Sequence, residues 1–280
     1  MSAKYTRTQL AQMILHRLSE KAAELSAMFA DTQNGIGYFF IDDLLPEAIA
    51  LEIHEAFPPL EKMTHKKSIR EDKFVAAQMD RYHPLLEEAI YAFQDPRVVA
   101  LFGDICRIPG LVPDEYLYAG GISAMAHKQF LNPHLDNSHD RDRNRWRVLN
   151  ILYYVTPGWQ PEFGGNLELW PAGLKGEPVT IHSKFNRLAL MATHNGSLHS
   201  VSPVVHEGVR CCVSNYYFSD QPLSTEDRFH VTVFRARPGQ KLTDAALLLD
   251  GWLRMALRKI FRKGVRENPH VYKRKPDQNP

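Results

Sequence analysis

The sequence predicts an α+β chain: a jelly-roll core of about eight antiparallel strands, with helices before it and one helix behind. Three observations carry this. Between residues 116 and 218, short β-rich runs follow one another, separated by turn residues and with no helical period among them. Ahead of residue 106, apolar residues instead recur at three- and four-residue steps. Neither a G-x-G-x-x-G fingerprint nor a P-loop is present, so a nucleotide-binding βαβ sheet is not expected.

The elements follow in order. Leu10, Met13, Ile14, Leu18, Ala22, Leu25 and Phe29 form one apolar stripe, which predicts a helix over 3–30, ended by Asn34-Gly35. A short strand over 37–41 and a second helix over 46–56 come next, with Pro46 suited to its first turn. Residues 58–83 are charged and irregular and read as a solvated loop, or as a lid over a substrate. Two helices over 85–93 and 98–105 are split by Asp95-Pro96. The expected strands then cover 116–119, 122–126, 147–155, 166–170, 179–182, 187–192, 198–201 and 210–218. A last helix over 242–262 should pack through Leu242, Ala245, Leu248, Leu249, Trp252, Met255, Ala256 and Ile260. Its other face and the tail are basic: a solvated surface, or a weak contact with anionic lipid, polysaccharide or nucleic acid. We expect one domain over 1–280, with a helical support (1–110), a catalytic core (111–220) and a C-terminal helix and tail (221–280).

Composition bounds the function. The chain is 44% hydrophobic, enough for a substantial core, and its net charge of +2 argues against a specific nucleic-acid partner. No apolar run approaches the ~20 residues of a membrane span. Three cysteines, two of them adjacent, make no disulfide framework, and no apolar secretory segment follows Met1, so a reducing, cytoplasmic setting is expected. Cys211 and Cys212 point to opposite faces of a strand, which makes packing a better reading than metal binding. The sequence is silent on oligomeric state.

The chemistry concentrates in a few residues. His134-Leu135-Asp136 is an H-x-D triplet, and i and i+2 on a strand share a side. With a distant imidazole, it makes the two-histidine, one-carboxylate set that leaves one face of an iron(II) ion open. Of the later histidines, His199 lies in a strand-like run, whereas His194 is a fallback and His206 reads as a loop residue. Eleven residues past His199 comes Arg210, whose rigid guanidinium fork suits a carboxylate. An iron site with a nearby arginine fits a cosubstrate that chelates metal at one end and carries a carboxylate at the other, as 2-oxoglutarate does.

These residues have company. Leu149–Val155 with Trp159, then Gly164–Pro171, Asn186–Leu190 and Tyr216-Tyr217-Phe218 stand in order around the triplet, His199 and Arg210. Over about 105 residues the chain resembles the Fe(II)- and 2-oxoglutarate-dependent dioxygenases, in the prolyl-4-hydroxylase-like branch. The resemblance implies a double-stranded β-helix core. It also implies iron held by His134, Asp136 and His199, with Arg210, Tyr154 and Ser214 on the distal carboxylate of 2-oxoglutarate. Asn150 shares parity with Tyr154 and could face the same pocket. Fe(II), 2-oxoglutarate and O2 are the implied cofactors, with ascorbate as an optional addition. The implied reaction is hydroxylation of a C–H bond of a prolyl or other protein residue, or of a small metabolite. An intact Asp136 favours it over the halogenation of relatives that carry a small residue there. One departure is Ala124, where prolyl hydroxylases often carry a tyrosine.

Two other readings of the same ligands stay open. One is a metal-dependent hydrolase; the other is a non-catalytic, cupin-like binding module. Asn137, Ser138, His139 and Asp140 are candidate partners for the second nitrogens of the ligand histidines. His127 and Lys128 read as half-exposed strand residues or pocket lining. Arg141, Arg143, Arg145 and Arg147 read as a solvated loop or an anion-recognising rim. Trp159 and Trp170 read as packing.

Overall fold

A computed structural model describes residues 3–261 and 270–273. Within it, α1 (Arg7–Glu20) and α2 (Ala22–Thr32) lead to β1 (Tyr38–Ile41) and α3 (Glu47–Glu55). A hairpin of β2 (Thr64–Lys67) and β3 (Glu71–Ala76) precedes α4 (Pro84–Ala92) and α5 (Pro96–Cys106). The strands β4 (Val112–Pro113), β5 (Gly121–Met125), β6 (Phe130–Leu135) and β7 (Trp146–Tyr154) follow. Next come β8 (Leu167–Leu169), β9 (Val179–Ile181), β10 (Arg187–Ala192), β11 (His199–Val201) and β12 (Arg210–Ser219). A short β13 (Val233–Phe234) and α6 (Lys241–Ile260) end the described order.

All the pairings are antiparallel, in the order β1-β10-β7-β12-β5-β3-β6-β11-β8-β9. With β2, β4 and β13 added at β3, β12 and β6, the sheet has thirteen strands, more than the eight expected, and curls into the jelly-roll core that the sequence predicts.

The strands β7, β10 and β12 bury both faces, which is why they read as almost continuous apolar runs. Leu149, Ile151, Leu188, Leu190, Val213 and Tyr217 pack outward against Leu18, Phe29, Ile90 and Phe102 of the helices. Tyr154, Ala189, Met191 and Cys212 face inward with Leu167 and Ile181. Cys211 and Cys212 fall in different clusters, as strand parity requires. The helical layer is also tied by hydrogen bonds: Tyr217 Oη donates to Phe93 O at 2.9 Å, and Gln94 Nε2 to Asn215 Oδ1 at 2.8 Å.

Four expectations are corrected. The first helix breaks at Lys21 (φ −111°, ψ 5°), which lets α1 bury Leu10, Ile14 and Leu18 while α2 turns to bury Leu25 and Phe29. Residues 58–83 are not a loop: they hold the β2–β3 hairpin, and β3 is inserted in the sheet between β5 and β6. Residues 116–119 are not a strand; Asp114 Oδ2 accepts from Ala119 N at 3.2 Å, and Leu117 takes φ +48°. Finally, α6 faces the opposite way from its expected packing. Leu247 and Gly251 are buried, whereas Leu242, Leu249, Trp252 and Ile260 face solvent, Trp252 at 67% exposure. Arg262, Lys263, Arg266, Arg274 and Lys275 of the basic tail lie outside the described residues, as does the side chain of Lys259.

Candidate metal centre and its cavity

Neighbouring antiparallel strands bring the two histidines together. On β6 and β11, His134 and His199 are direct register partners, with ring centroids 4.2 Å apart. Asp136 stands one residue past the end of β6 on the same side as His134. Its carboxylate lies 3.6 Å from His134 Nε2 and 3.7 Å from His199 Nε2. One ligand atom from each of the three residues falls within 4.8 Å of the others.

The histidines are oriented by their own strands. His134 Nδ1–H donates to Asn132 O at 3.0 Å, and His199 Nδ1–H to Ser197 O at 2.9 Å. A carbonyl can only accept, so each Nδ1 carries the proton and each Nε2 presents a lone pair. These backbone carbonyls, not Asn137, Ser138, His139 or Asp140, are the partners of the second nitrogens. Phe234 of β13 stacks on His134 at 5.1 Å. Burial, then the adjacent His134, push the His199 imidazole down to about 4, so it is neutral at physiological pH. Burial pushes the Asp136 carboxyl upward, but His134, Arg147 and His199 outweigh it and hold it well below the usual carboxylate range. Asp136 Oδ2 is buried without a hydrogen-bond partner. Two imidazole Nε2 atoms and an orphaned carboxylate oxygen are a donor set that fits Fe(II).

The centre opens into a cavity of about 630 Å³, and Arg210, Tyr154, Ser214 and Asn150 line the same space. Arg210 and Ser214 are on one face of β12, and Tyr154 is the register partner of Cys212 between them. The Arg210 guanidinium is buried, with Nε unpartnered, Nη2 2.9 Å from Met125 Sδ, and its carbon 5.4 Å from the Tyr154 ring centre. Burial raises the Tyr154 phenol, which keeps it a protonated donor. Asn150 Oδ1 is buried and unpartnered, whereas Ser214 Oγ reaches Gly121 O only at 3.5 Å. Gly165, at φ +68°, leaves room for the arginine: a Cβ there would sit 3.0 Å from Arg210 Cδ.

Residues 120–218 match the family model described as 2OG-Fe(II) oxygenase superfamily. Over that stretch the chain is similar to that superfamily. A prolyl hydroxylase from Trichoplax adhaerens, solved with a hypoxia-inducible-factor peptide fragment, aligns at TM-score 0.53 and 22% identity over 71% of this chain and 91% of its own. A prolyl 4-hydroxylase from Phytophthora capsici aligns at TM-score 0.52 and 17% identity over 94% of this chain and 82% of its own. At such identities the likeness is one of fold. No relative matches among curated proteins.

Sequence reasoning read Arg147 as part of a solvated loop or of an anion-recognising rim. It is in fact buried beside the centre, with Nη1 3.6 Å from Asp136 Oδ2 and its guanidinium carbon 4.1 Å from the Tyr216 ring centre. Register slips between β7 and β12 there: Leu149 pairs with Tyr217, but Arg147 with Phe218. The extra residue turns Arg147 to the face of Asn150 and Tyr154, despite its odd number. Of its neighbours, Arg141 lies over Tyr116, Arg143 over Phe229, and Arg145 pairs with Asp220.

The other candidate histidines do other work. His194 Nδ1 accepts from Gly196 N at 3.0 Å and His206 stacks on Phe163 at 3.9 Å, so neither joins the centre. His127 lies 3.6 Å from Glu207, and Lys128 occupies a turn at φ +67°; neither lines the cavity. Trp159 and Trp170 are packed as expected, their indole N–H groups donating to Gly164 O and Ser200 Oγ. No helix among the described residues is long and apolar enough to cross a membrane.

Proposed function

We propose that the chain is an Fe(II)- and 2-oxoglutarate-dependent dioxygenase that hydroxylates an unactivated C–H bond of a prolyl or other protein residue, or of a small metabolite. The supporting observation is that one cavity holds both an orphaned donor set and a buried arginine with no carboxylate partner among the described residues. His134, Asp136 and His199 would hold Fe(II); Arg210 would bind the distal carboxylate of 2-oxoglutarate. When bound, iron and cosubstrate supply the oxidising chemistry: 2-oxoglutarate and O2 become succinate and CO2, with one oxygen atom inserted into the substrate.

The chain's own residues do the rest. The carbonyls of Asn132 and Ser197 hold the Nδ1–H of each imidazole and so aim each Nε2 at the metal position. Arg210, a charge-assisted donor in a buried site, sets the position of 2-oxoglutarate. Tyr154 and Ser214 would add hydroxyl donors to the same carboxylate, and Asn150 a polar contact farther along the wall. Arg147 keeps Asp136 ionised and, pinned over Tyr216, limits its rotation.

The test is an anaerobic titration with Fe(II) and 2-oxoglutarate, watched for the weak visible charge-transfer band of the bidentate chelate. The band should form in the wild type and vanish in His199→Ala. Iron binding without a band would refute the reading.

A further inference from the structure

The β2–β3 hairpin supplies one wall of the cavity, and the charge there is one-sided. Eight cationic side chains and three carboxylates line the cavity, whereas the whole chain carries only +2. Four of these cations have a task. Arg70 and Arg254 both pair with Asp250, Arg147 lies beside Asp136, and Arg210 awaits the cosubstrate. Lys66 and Lys73 instead share a single carboxylate, Glu71.

They are direct register partners across the hairpin, and both line the cavity. Like charges opposite each other in an antiparallel pair repel. Neither lysine escapes to solvent: the Lys73 side chain is 20% exposed, and burial, then Lys73, pushes the Lys66 ammonium down. Glu71 is their shared counter-charge, 3.0 Å from Lys73. Among the described residues, no carboxylate lies within ion-pair distance of Lys66. The pair also stands close to the centre. Lys73 acts electrostatically on His199, and His134 on Glu71. Glu71 is the register partner of Leu131 on β6, the strand that carries His134.

A repelling, half-buried lysine pair with one carboxylate weakens the fold, and an anion placed between the two ammonium groups would remove that repulsion. We infer that Lys66 and Lys73 bind an anionic group, a carboxylate or phosphate, on the primary substrate. This rests on the oxygenase reading above. Arg210 lies on β12, separated from β3 by β5, so the lysines form a subsite distinct from that of 2-oxoglutarate.

The experiment uses anaerobic protein loaded with Fe(II) and 2-oxoglutarate, titrated by calorimetry with phenyl phosphate, benzoate and benzyl alcohol. The wild type should bind one of the two anions at least tenfold more tightly than the alcohol; which anion wins tells phosphate from carboxylate. Lys66→Met and Lys73→Met should each lose that preference about tenfold and keep their affinity for 2-oxoglutarate; Lys66→Met, which removes a repulsion and breaks no ion pair among the described residues, should melt no lower than the wild type. Lys67→Met, whose side chain is 74% exposed on the other face, should behave as the wild type. Equal binding of anions and alcohol by the wild type would overturn the inference. So would a preference that survives in both variants, or a loss of 2-oxoglutarate affinity instead. The charge-transfer band of the same samples reports the oxygenase reading separately: a band without anion preference sinks only the lysine subsite.

Discussion

Gly165→Ala tests how closely the backbone is fitted to Arg210. The substitution has two separable effects. Position 165 has φ +68°, where an alanine costs about 1–2 kcal/mol of stability. The new Cβ would also lie 3.0 Å from Arg210 Cδ and 3.2 Å from its Nε, so the guanidinium must shift by a few tenths of an ångström. A hydrogen bond to a charged group contributes roughly 1.5–3 kcal/mol, so misalignment should raise the Kd for 2-oxoglutarate by about 10- to 100-fold. Gly173→Ala is the control. Gly173 has nearly the same φ, +64°, and a Cβ added there would meet nothing within 4 Å. Both variants should lose similar stability in urea melts, but only Gly165→Ala should weaken the 2-oxoglutarate charge-transfer titration. Wild-type affinity in Gly165→Ala, or equal weakening in both, would refute the reasoning.

Two further outcomes are expected. Asn186 is buried at φ +60°, accepts from Leu45 N and Tyr153 Oη, and donates to Leu45 O, so Asn186→Ala should cost about 3–5 kcal/mol in urea unfolding while the 2-oxoglutarate affinity of the folded fraction stays the same. In metal-free protein, His199 titrates at about 4 when folded and near 6.5 when unfolded. Above pH 6.5 both states are neutral and nothing is lost; between 6.5 and 4 the unfolded chain takes up a proton that the folded chain refuses. Stability should therefore fall over that window by up to roughly 3 kcal/mol, checked by melts against pH. A flat profile would exclude His199 as a buried neutral group.

The candidate metal ligands were legible because strand geometry is periodic. His134 and Asp136 share a side by parity alone, and His199 follows from a strand-like context. Arg210 and Ser214 were placed by the same rule. Where the rule failed, a specific physical cause stands behind it. The cavity-facing residues of β2 and β3 are Lys66, Glu71, Lys73 and Val75, only one of them apolar, so the hairpin lacks the apolar alternation that marks a strand with one face in a core. Arg147 could not be placed beside Asp136 either, because a slip in the ladder cannot be seen from one strand's residues. For α6 the stripe itself was correct, but periodicity finds a stripe without saying which side meets the protein.

That reversed helix has a consequence for access to the site. Along α6, Leu247 is the large apolar side chain that is fully buried, while Arg254, Leu257 and Arg258 face the cavity. The helix is fastened to the hairpin through Asp250, shared between Arg70 and Arg254, with each of the three side chains 25–33% exposed. Partly exposed ion pairs contribute on the order of 1 kcal/mol or less, and the range of their attraction shrinks from about 10 Å at 0.1 M salt to about 3 Å at 1 M. The hairpin and α6, two walls of the cavity, are thus joined to each other by partly exposed charge, so that this joint weakens as the ionic strength of the medium rises.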